Sequence, residues 1–82
     1  MTTQQENLME ELVNRGFAVT ELFGPIFVYE KEDGEGRETV TVFPNTHTAL
    51  HEHWHRSGMM LDSNYYSTEV TADVKKLLDS CG

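Results

Sequence analysis

Basic residues are scarce. Six Lys and Arg stand against fourteen Asp and Glu, a formal net charge of −8 over 82 residues. A chain that holds DNA or RNA by its phosphates needs a cationic footprint, and this one lacks it. The same deficit argues against docking on anionic lipid. Cysteine is almost absent: Cys81 stands alone, so no internal disulfide framework can form and a reducing compartment is expected. No apolar run approaches the ~20 residues of a membrane span. The opening MTTQQENLMEEL has neither the basic start nor the apolar stretch of a secretory signal. Two prolines and six glycines fall at single points, as punctuation between elements, and no internal repeat is visible. A chain this short buries only about 60% of the surface its unfolded form exposes, so one thin core is expected, in a single compact domain over residues 1–82.

The pattern predicts an α+β domain with a three-stranded antiparallel sheet and about three helices, in the order α-β-β-β-α-(β)-α. A first helix is expected from about residue 4 to 15. Thr3 and Glu6 would form its capping box, Leu8, Met9, Leu12 and Val13 its apolar face, and Gly16 its left-handed terminus. Phe17 to Phe23, Ile26 to Lys31 and Glu38 to Phe43 are rich in β-formers. Glu32 to Arg37 reads as the turn between the last two. Asn45 or Thr46 then caps a predicted second helix running to about Ser57, stopped by Gly58. Met59 to Ser67 is ambiguous, with a turn at Asp62-Ser63-Asn64 and a short strand at Tyr65-Tyr66. Ser67 or Thr68 caps a last helix whose stripe is Val70, Val74, Leu77, Leu78 and Cys81.

All four histidines lie within nine positions: His47, His51, His53 and His55. On a helix the first, second and fourth step by four and could chelate zinc. The string His51-Glu52-His53-Trp54-His55 satisfies H-E-x-x-H and resembles the zinc-metallopeptidase signature. That resemblance implies His51 and His55 as ligands and Glu52 as general base on a metal-bound water. The longer metzincin form places a glycine where Gly58 stands, but its third ligand falls on Leu61, with Asp62 one residue late. A catalytic zinc needs three protein ligands and an open position, so the pattern is incomplete and no catalytic residue is assigned. Metal binding by His51, His55 and His47, or Asp62, is kept as an alternative, with zinc as the only cofactor considered. The plainer reading is a polar helix face, with Leu50 and Trp54 on its buried side. Protonating all four imidazoles would halve the net charge, giving a pH-responsive surface.

Acidic residues gather at the predicted hairpin: Glu30, Glu32, Asp33, Glu35 and Glu38. A solvated surface explains them simply. A negative patch that docks on a basic protein surface explains them functionally. Phe27, Tyr29 and Phe43 are expected on one sheet face, as core or as contact surface. Tyr65 and Tyr66 are candidate anchors. In size, charge and pattern the chain is similar to small phage-encoded inhibitors, including anti-CRISPR and nucleic-acid-mimic proteins. The function so implied is binding, and inhibition or regulation, of a larger protein with a basic surface, by a non-enzymatic module. It would act in the cytoplasm, the host's if phage-encoded. A structural subunit of a larger assembly, or a homodimer, fits the same composition.

Overall fold

The computed structural model describes residues 2–81, and of residues 21–23 the backbone only. Helix α1 spans Thr3–Asn14. Its capping box lies one residue earlier than expected: the Thr2 hydroxyl accepts from the Gln5 N–H, and the Gln5 side chain accepts from the Thr2 N–H. The helix ends as Gly16 predicts. Gly16 adopts φ +96°, its N–H reaches the Val13 carbonyl, and the Phe17 N–H reaches that of Leu12, a Schellman motif. Leu8, Met9 and Leu12 are buried, whereas Val13 turns to solvent.

Five strands follow: β1 Ala18–Phe23, β2 Ile26–Asp33, β3 Gly36–Phe43, β4 Thr48–His55 and β5 Met60–Ser67. They form one antiparallel meander in the order β1-β2-β3-β4-β5. Helix α2, Thr71–Ser80, closes the chain. The architecture is α+β, but the three-stranded sheet with about three helices is corrected to five strands and two helices. The expected helix over residues 45–57 is a turn followed by β4, and the ambiguous segment 59–67 is β5. The error has a physical source. Residues four apart share a face on a helix and also on a strand, so the spacing of His47, His51 and His55 suits both. His53, two residues from each neighbour, fits only the strand period.

The hairpin between β2 and β3 turns at Gly34-Glu35. Asp33 Oδ1 accepts from the N–H groups of Glu35 and Gly36, each at 2.8 Å. A side chain at Gly36 would collide with the Trp54 carbonyl oxygen of β4, so the close approach of β3 to β4 requires glycine there. His47, in the turn before β4, holds a left-handed backbone (φ 55°).

Register decides which side chains meet. Phe27 pairs with Val42, Tyr29 with Val40, Val42 with Ala49, and Val40 with His51. Tyr29, Val40, Val42 and Ala49 are buried in one cluster with Leu8, Met9 and Leu12 of α1, Phe17, and Leu77 and Cys81 at α2. Both helices therefore cover the same face of the sheet. The expectation that Phe27, Tyr29 and Phe43 share a face is corrected: the first two join the core, and Phe43 lies on the opposite face. Alternation places Ile26 and Val28 there too. Of the expected stripe, Val70 is exposed, Leu77 and Cys81 are buried, and Val74 and Leu78 pack half-buried against the core. Ser67 and Thr68 do not cap α2, whose N-cap is Val70 without a side-chain hydrogen bond.

Gln5 is fully buried and fastens three segments. Its side-chain N–H groups reach the Pro44 carbonyl (3.1 Å) and Thr68 Oγ1 (3.3 Å). The edges of the sheet are blunted. β1 is bulged between Val19 and Glu21. On β5 the Ser63 N–H is taken by Asp62 Oδ1 (3.0 Å) and the Ser67 N–H by Asp73 Oδ2 (3.2 Å). No helix among the described residues is long and apolar enough to cross a membrane.

Gly36→Ala is expected to destabilise the fold by about 1–3 kcal/mol through overpacking against β4. A lowered urea midpoint would register it, while Gly34→Ala, whose Cβ meets nothing within 4 Å, serves as the control.

Candidate functional site

On β4 the imidazoles of His51, His53 and His55 alternate with Glu52 and Trp54, so all three histidines take the helix-covered face and Glu52 takes the other. This removes the geometry that the H-E-x-x-H resemblance requires. The Cα atoms of His51 and His55 lie about 13 Å apart along a strand, against roughly 6 Å on successive helical turns. Glu52 points away from both rings. His47 sits in the preceding turn, with its ring 3.7 Å from Glu69. Asp62 bonds the Ser63 N–H and Asn64. Among the described residues no group of three His, Cys, Asp or Glu is arranged to hold a metal ion.

His51 and Glu38 form a buried pair instead. They are 4% and 6% exposed, with Nε2 3.1 Å from Oε1. A carboxylate only accepts, so Nε2 carries the proton and donates. The opposite ring nitrogen, Nδ1, is buried without a hydrogen-bond partner. Glu38 is thereby withdrawn from the acidic contact surface assigned to it. Its β-period parity places it on the face of Tyr29, Val40 and Val42, where the hydrogen bond to the imidazole offsets part of the cost of burying a polar group. Cys81 is buried nearby, and burial, reinforced by the Glu38 charge, pushes its thiol up to about 12. A thiol so protonated is a poor nucleophile.

The remaining hairpin acids differ in circumstance. Glu32, Asp33 and Glu35 are exposed, and Glu30 is half-buried with one oxygen 3.5 Å from Arg37. The N–H of Glu35 is the main cause holding the Asp33 carboxyl below its ordinary range, and Asp33 Oδ2 lies 3.4 Å from His53. The two tyrosines separate. Tyr65 is 70% exposed. Tyr66 points to the other face, packs against the core and brings its hydroxyl to 3.5 Å from Ser80.

Tyr65 belongs to a surface that sequence reasoning missed. The face of the sheet without helices presents cross-strand rows. One row is Val28, Thr41, Leu50 and Tyr65. The next is Glu30, Thr39, Glu52 and Ser63. A third is Glu32, Arg37, Trp54 and Met60. Phe43 and Thr48 lie beyond the first row. The Arg37 guanidinium stands 5.6 Å from the Trp54 ring centroid, and the indole N–H reaches Thr39 Oγ1 at 3.4 Å. The signal for this face was the strict alternation of residues 48–55, in which Leu50, Glu52 and Trp54 share parity with Thr48. Among the described residues there are also hollows between the helices and at the hairpin end, the latter bordering this face. The first, of about 280 Å³, is lined by Leu8, Val74 and Leu78. The second, of about 450 Å³, lies beside Arg37, Trp54 and Arg56.

No protein-family model, curated protein or solved structure matches this chain.

Glu38→Leu should strand the His51 ring without a partner and destabilise the fold by about 3 kcal/mol. Glu38→Gln, which keeps an acceptor, should cost less than half of that, both measured by urea unfolding. Cys81 should react with a disulfide reagent far more slowly in the native protein than in urea. Equal rates would mean that the thiol is accessible.

Proposed function

We propose that this protein is a small acidic protein-binding module that inhibits or regulates a larger protein with a basic surface. The observation that carries the reading is the one-sided covering of the sheet. Both helices pack on one face, and the other carries half-buried Val28, Phe43, Leu50 and Trp54 beside the exposed Met60 and Tyr65, on a chain of net charge −8. Apolar side chains gathered on an uncovered face and rimmed by polar residues are a mark of interaction sites. The exposed acids Glu32, Asp33 and Glu35 at the hairpin lie next to that face and supply long-range steering toward a cationic partner. Tyr65 remains a candidate anchor, because a large ring that is 70% exposed gains most from burial. Tyr66 and Glu38, both turned to the helix side, do not contribute to the contact.

The reading is tested by affinity capture with the tagged chain, followed by salt titration against the captured protein. Affinity should fall as ionic strength rises from about 50 to 300 mM, because exposed charges are screened over that range. Glu32→Lys with Glu35→Lys should slow association more than it speeds dissociation. An affinity indifferent to salt, with an unchanged association rate in the double variant, would count decisively against it.

A further inference from the structure

The rows of the uncovered sheet face are ordered by character. Val28, Leu50 and Tyr65 lie in one row, with Phe43 just beyond it, and Glu30 and Glu52 occupy the row beside them. Thr41 stands within the first row and Thr39 between the two acids of the second, so apolar side chains, half-buried except for the exposed Tyr65, run across the strands beside two carboxylates. The Glu30 charge is shared with Arg37 at 3.5 Å, whereas Glu52 has no ion-pair partner within 4.0 Å among the described residues. Trp54, braced by Arg37 on its ring and by Thr39 at its N–H, stands at the far side of the acidic row.

Resting on the reading above, we propose that this face docks an amphipathic, cationic protein segment. Its apolar stripe would lie along Val28, Leu50 and Tyr65, and its Lys or Arg side chains would reach Glu30 and Glu52. Charge complementarity selects that occupant. Among the described residues of β2 to β5 the face carries Glu30, Glu32 and Glu52 against Arg37, so a second copy laid on it would set like charges together, on two chains of −8 each. A nucleic acid or an anionic lipid surface is repelled for the same reason. Area agrees. Strands β2 to β5, ~4.8 Å apart and eight residues long at ~3.3 Å each, span about 19 by 26 Å, or about 500 Å². That is below the ~800 Å² per partner of a stable complex and in the range of transient regulatory contacts. A helix of about 14 residues is about 21 Å long and matches the width of the four strands.

The test uses the intact chain and synthetic probes. Trp54 is the only tryptophan, so its emission reports directly on this face. An amphipathic Leu/Lys peptide of about 14 residues should shift that emission saturably. The same peptide with Glu for Lys, or with Ser for Leu, should not. Leu50→Asp should weaken binding of the Leu/Lys peptide about tenfold or more. Tyr65→Asp, at a position exposed enough to leave folding intact, should do so as well, with circular dichroism checking both variants. Equal binding of the Lys/Ser peptide would overturn the proposal, since charge alone would then suffice. So would amide shifts confined to the groove between α1 and α2, or self-association without peptide. The two readings fail separately. A captured natural partner that is salt-sensitive but indifferent to Leu50→Asp and Tyr65→Asp sinks the sheet-face site and leaves the acidic binding module standing. A partner indifferent to salt sinks the module itself.

Discussion

The pairing of β3 with β4 governs the rest of this molecule. Val42 opposite Ala49 and Val40 opposite His51 place β4 inside the sheet, and β5 can form only on the edge that β4 then offers. A one-residue slip would turn every side chain of β4 to the other face and expose Ala49 and His51 in place of Leu50 and Glu52. Gly36 permits this ladder at its tightest point, where a side chain would strike the Trp54 carbonyl. The register therefore sets both the core beneath the helices and the surface opposite them.

Burying His51 and Glu38 carries a cost that the rest of the core must absorb. Each is almost fully removed from water, and one ring nitrogen has no hydrogen-bond partner. Replacing such a pair with apolar residues of similar volume is often neutral or stabilising in other proteins. In the observed ladder Glu38 stands opposite His53 and meets the imidazole of His51 on the diagonal, with Oε1 3.1 Å from Nε2. Gln5, fully buried, ties α1 to the turn at Pro44 and to Thr68 by side-chain hydrogen bonds.

The acidic hairpin resolves into residues with different work. Asp33 builds the turn, Glu30 leans on Arg37, Glu38 is interior, and Glu32 and Glu35 are exposed at the tip. Composition counted these carboxylates together because net charge carries no information about direction. The proposed docking depends on direction, since Glu30 and Glu52 matter through their place beside an apolar row rather than through their number.

What the amino-acid sequence determined by itself was local. The acidic balance is composition, the Gly16 terminus of α1 and the β2–β3 hairpin follow from contacts within one element or one turn, and the stripe that carries Leu77 and Cys81 follows from helical period. Residues 45–67 were decided by tertiary structure. Spacing of four is common to helix and strand, so His47, His51 and His55 could not choose between them. A hydrogen-bonding neighbour on each side of β4 made the choice. The same neighbours assembled Val28, Leu50, Trp54 and Tyr65 into one face, which no single segment encodes, because a sheet surface comes into being only when strands distant in sequence are brought into register.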